Sequence, residues 1–107
     1  MTYTETLAIA KQNNIEAGKL NIANTIALYD YTPQSIGVES FEILCKLIEA
    51  ADEGDDRAPI DDMVYAMVRL IEEGSLNLNP DDLPAEGTQQ WEAVVCTICS
   101  NAHYIQN

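Results

Sequence analysis

Positive charge is what this chain has least of. Five lysines and arginines stand against 18 aspartates and glutamates, for a net charge of −13. That balance argues against direct nucleic-acid binding, because each phosphate contact asks for a lysine or arginine. It also disfavours anionic membrane surfaces. The three cysteines are an odd count, which speaks against a disulfide-stapled secreted framework. No basic opening region leads into a long apolar run, so no secretory signal is expected. No run approaches the ~20 apolar residues that span a bilayer. The cytosol is therefore the expected compartment. His103 is the single histidine, and there is no phosphate loop, nucleophile elbow or zinc-protease helix. The expectation is a non-enzymatic protein without a cofactor.

What is present is helical periodicity. The 107 residues, 47% apolar, suit one domain, residues 1–107, that buries its core without staples. From Val38 to Ala51, Phe41, Leu44, Cys45, Ile48 and Ala51 share one side of a helix, and Ile43 and Leu47 widen it. Glu39, Glu42, Lys46, Glu49 and Glu53 recur at steps of three and four and form a solvated stripe. A second helix is expected to begin at Ala58-Pro59-Ile60-Asp61-Asp62, with proline at its first helical position and two acids facing the positive end of the helix dipole. Ile60, Met63, Val64, Met67, Val68, Leu70 and Ile71 form its apolar face, and Gly74 closes it. Between the two helices lies Asp52-Glu53-Gly54-Asp55-Asp56-Arg57, where Gly54 is expected to permit the turn.

The flanks read more weakly. Thr2 and Glu5 have capping-box spacing; Tyr3, Leu7 and Ala10 share a face, and Asn13-Asn14 interrupts it. Ile15, Ile22, Ile26 and Tyr29 form another stripe, which Gly18 weakens. Thr32-Pro33 suits a helix start. Asn79-Pro80-Asp81-Asp82 suits the first turn of a short helix stopped by Pro84. Thr88 caps a last helix whose stripe is Trp91, Val95, Ile98, Ala102 and Ile105. No strand alternation is supported by hairpin turns, a doubtful Leu76/Leu78 pair aside, and no repeat is visible. The expected fold is all-α, a compact bundle of four to five helices around a central helical hairpin.

The acids are placed unevenly. Between Glu39 and Glu92, fifteen acids face Lys46, Arg57 and Arg69. Candidate partner-binding residues are Glu49, Asp52, Glu53, Asp55, Asp56, Asp61, Asp62, Glu72, Glu73, Asp81 and Asp82. Carboxylates on neighbouring helical turns lie roughly 5–6 Å apart at Cβ, of the order of phosphate spacing. The expected partner is thus a basic, nucleic-acid-binding protein whose site the acids occupy by charge mimicry; the plain alternative is a solvated acidic surface. In size and charge the chain resembles small phage-encoded inhibitors of host nucleases, anti-CRISPR proteins among them, although no motif carries the likeness. A second reading is an oligomeric helical adaptor, a homodimer built on surplus apolar surface.

A third reading is a metal or redox protein. Cys96 and Cys99 make a C-x-x-C with His103 on the same helix, and Cys45 could complete a zinc set. The pair sits inside an apolar helix rather than a wrapping turn, so the thiols read as core filler. EF-hand frames begun at Asn77 or Asp52 miss the glycine and glutamate that such a loop needs. Tyr29, Tyr31, Tyr65 and Tyr104 are candidate interface anchors.

Overall fold

A computed structural model describes residues 5, 8, 11, 12, 20–54 and 58–106. Among these the chain runs through α1 (Leu20–Ala27), α2 (Pro33–Ile36), α3 (Val38–Asp52), α4 (Ile60–Glu72) and α5 (Gln89–Gln106), with no strand. The all-α expectation holds. Thr2, Tyr3, Leu7, Ala10, Asn13, Asn14, Ile15 and Gly18, on which the first-helix readings rested, lie outside the described residues, as do Asp55, Asp56 and Arg57.

Local chemistry sets the helix ends. Thr32 Oγ1 accepts from the Ser35 N–H at 3.2 Å and Ser35 Oγ accepts from the Thr32 N–H at 2.8 Å. This reciprocal cap starts α2 with Pro33 in the first turn. Thr88 Oγ1 accepts from the Trp91 N–H at 3.2 Å and caps α5. Pro59 sits one position earlier than expected: its backbone is extended (ψ 142), so it is the cap of α4 rather than its first helical residue. After α4, Gly74 takes φ +81, which only glycine adopts freely. The Ser75 and Leu76 N–H groups then both reach the Leu70 carbonyl, at 2.9 and 3.0 Å.

Asn79-Pro80-Asp81-Asp82 forms a single turn and no helix. Asn79 accepts from the Asp82 N–H through its carbonyl at 3.0 Å and from the Asp81 N–H through its side chain at 3.1 Å. Pro84 lacks an N–H and disfavours helical geometry at Leu83, so the turn cannot propagate. Gly54 has no left-handed backbone; the turn after α3 does not depend on it in that way.

The core gathers the predicted faces. Phe41, Leu44, Cys45, Leu47, Ile48 and Ala51 of α3 meet Met63, Val64, Met67 and Leu70 of α4 and Trp91, Val95, Ile98 and Ala102 of α5. Helix α5 packs on both α3 and α4, α1 lies across the same two helices through Ile22, Ala23 and Ile26, and α2 packs on α3. The radius of gyration, 12.9 Å, matches the ~13 Å of a compact chain of this length. Ile105 is a correction: expected on the core stripe, it is 40% exposed and borders an open groove with Ala66, Arg69, Leu70 and Glu73 of α4. Ser40 was not anticipated. It is buried at the start of α3 and its hydroxyl donates to the Leu78 carbonyl at 2.6 Å, pinning the α4–α5 loop to the first turn of the hairpin. No helix among the described residues is long and apolar enough to cross a membrane.

Candidate functional site

The topology gathers the candidate acids at the two ends of the α3–α4 hairpin. Glu49, Asp52 and Glu53 close α3, and Asp61 and Asp62 open α4 a few residues later. Glu72 and Glu73 lie at the other end of α4, and the chain then passes Leu78, held against Ser40, to reach Asp81 and Asp82. Helix α4 has 13 residues, so its ends stand about 20 Å apart. Glu53, Asp61, Glu72, Glu73, Asp81 and Asp82 are exposed, whereas Glu49, Asp52 and Asp62 are half-buried. Asp55 and Asp56 lie outside the described residues.

Among the described residues, two ion pairs reach the acids, Lys46 with Glu86 at 3.4 Å and Arg69 with Glu73 at 3.2 Å. Asp52, Glu53, Asp61, Asp62, Glu72 and Asp81 enter neither pair. Asp82 Oδ2 accepts from the side-chain amides of Asn77 at 3.2 Å and Asn79 at 3.4 Å. The helix dipoles divide the acids further. Asp61 and Asp62 stand in the first turn of α4, where the peptide dipoles welcome negative charge. Asp52 ends α3, Glu53 is its C-cap, and no basic residue stands in that last turn. Glu72 ends α4 beside a single base, Arg69. These three carboxylates face the negative ends of their helices, so their placement costs the fold stability.

Along the outward side of α4, Tyr65 lies between the two acidic ends. It is 40% exposed and meets Tyr29 with ring centroids 6.3 Å apart and planes tilted by 58°. Leu28, the residue before Tyr29, is 72% exposed. Nothing in the sequence singles out that leucine, and the Tyr29–Tyr65 contact depends on how α1 sits against α4. Tyr31 is half-buried; burial first, then the nearby Glu72 carboxylate, raises its phenol above the ordinary value of 10.0. Tyr104 stands out near the end of α5 at 83% exposure.

Of the thiols, Cys96 departs from the core-filler expectation, while Cys99 packs against the core. Cys45 is buried, but Cys99 is half-buried and Cys96 is exposed. With His103 they border a groove of about 320 Å³ between the end of α3 and α5, and the Cys99 thiol donates to the Ala51 carbonyl at 3.9 Å. The C-x-x-C spans one turn at the edge of the α5 stripe, so one thiol turns inward and the other outward. Among the described residues no three His, Cys, Asp or Glu side chains converge as metal ligands. Comparison with family models, with curated proteins and with solved structures finds no match.

Proposed function

We propose that this chain is a non-enzymatic acidic binding protein that occupies the nucleic-acid site of a basic protein, an inhibitor of the anti-defence kind. The observation that supports it most is the trio Asp52, Glu53 and Glu72. Each opposes a helix dipole and enters neither described ion pair. Acids kept against the stability of the fold are suited to a cation supplied from outside.

The spacing supports the reading too. Asp61 and Glu72 are about 16 Å apart along α4, so the two acidic ends offer two separated anionic contacts. A protein surface that grips a strand at two separated phosphates would meet both acidic ends. Binding of this kind weakens steeply with salt and is displaced by nucleic acid. The test is retention of a partner from lysate on the immobilised protein at about 50 mM and 500 mM salt, followed by elution with duplex DNA or RNA. Retention lost at high salt and released by nucleic acid supports the proposal. Salt-insensitive retention that nucleic acid cannot displace refutes it.

A homodimer is the second reading, favoured by the exposed Tyr104 and Ile105 at the end of α5. Sedimentation at several protein concentrations separates it from a monomer.

A further inference from the structure

We infer that the Tyr29–Tyr65 pair, with Leu28 beside it, is the anchoring point of the partner surface, and that it takes an arginine rather than a lysine. The inference rests on the acidic-binder reading and specifies the partner's chemistry at one place. Both rings are exposed, at 36% and 40%, and Leu28 at 72% extends the patch. Their tilt of 58° leaves each ring a side that the other does not cover. Asp30 follows Tyr29 directly, in a left-handed turn (φ 66) whose carbonyl accepts from Ser35 Oγ at 2.8 Å. On α4, Asp61 and Asp62 precede Tyr65 by one turn, Arg69 follows it by one turn but is paired with Glu73 at 3.2 Å, and Glu72 lies two turns beyond, so the rim stays net negative.

The sign of this rim selects the occupant. A second copy would set one acidic rim against another in a chain of net charge −13, and such like-charge contacts are strongly disfavoured. An aliphatic partner would leave the carboxylates without compensation as water is driven off. A guanidinium suits both features: its flat face stacks on a tyrosine while its edge donates in pairs to carboxylates. A lysine ammonium gains the charge attraction but is a compact, strongly hydrated point charge without the flat stacking face.

The test uses the full chain and two short peptides of equal length, one arginine-rich and one lysine-rich, each with interspersed leucine, titrated at low salt by NMR. The arginine peptide should bind about two- to fivefold tighter and should move the ring resonances of Tyr29 and Tyr65. Y65S should weaken the arginine peptide more than the lysine peptide and so remove that preference, and Y65F, which keeps the ring face, should retain it. Circular dichroism confirms that both variants hold the wild-type helix content; L28S provides a second lesion in the patch should Y65S lose structure. Equal binding of both peptides, with ring signals unmoved, overturns the arginine anchor and leaves the acidic-binder reading standing. No binding of either peptide at low salt overturns both.

Discussion

Neutralising the carboxylates that oppose the helix dipoles should make this protein more stable, and neutralising those that align with them should make it less so. Asp52 and Glu53 stand at the end of α3 and Glu72 at the end of α4, where the last carbonyls carry the equivalent of about half a negative charge. Each such contact costs about 0.3–1 kcal/mol at low ionic strength. The triple variant D52N/E53Q/E72Q should therefore gain roughly 1–3 kcal/mol, a large share of the 5–15 kcal/mol typical of a domain. The pair D61N/D62N, at the start of α4, should lose up to about 1–2 kcal/mol by the same argument reversed. Urea unfolding followed by circular dichroism, at about 0.01 M and 1 M salt, measures both. The Debye length falls from roughly 30 to 3 Å over that range, so both effects should shrink at high salt. The control pair separates two physical causes. General self-repulsion of an acidic chain would make both variants more stable. A stabilised D61N/D62N, or a triple variant no more stable than wild type, refutes the dipole argument and removes the main support for the proposed function.

Four further outcomes follow from single contacts. S40A removes the 2.6 Å bond to the Leu78 carbonyl. It should cost about 1–2 kcal/mol after the better helix propensity of alanine is allowed for, and amide exchange should quicken between residues 76 and 82. T88A deletes the cap on the Trp91 N–H and should cost about 1 kcal/mol. I98A opens a cavity at a fully buried site and should cost about 2–5 kcal/mol, whereas I105A, at a 40% exposed site, should stay within ~0.5 kcal/mol of wild type; thermal unfolding separates the two. Because the Tyr31 phenol is raised above 10.0, the unfolded chain loses that proton first. The associated stability is intact below pH 10.0 and is lost as pH rises through the folded value. Ultraviolet titration against Y31F should show this group ionising late, and E72Q should bring it only part of the way back, since burial is the larger cause.

Periodicity made the hairpin legible, because α3 and α4 each bury one wide face and the burial of Phe41, Leu44, Met63 and Met67 needs no knowledge of their neighbours. The caps at Thr32 and Thr88 were legible for a similar reason: they act over three residues. Features that depend on distant parts of the chain were not. Ser40 reads as an ordinary serine until Leu78 is brought beside it. Ile105 continues the apolar period onto the rim of a groove beside α4 rather than into the core. Cys96 and Cys99 share a helical turn, and only the path of α3 decides which faces inward. The acids were legible as residues, but their grouping into two ends follows from the hairpin's reversal, and the Tyr29–Tyr65 contact follows from how α1 crosses α4.

Met63 and Met67 are both completely enclosed in the centre of the molecule. A thioether there is out of reach of peroxide while the chain is closed, yet it gains a polar, bulky oxygen once it reacts. Each oxidation event therefore marks a moment of opening, and a sulfoxide carried back into the dry interior would hinder reclosure. The rate at which these two sulfur atoms take up oxygen is thus a built-in clock for how often the helices part.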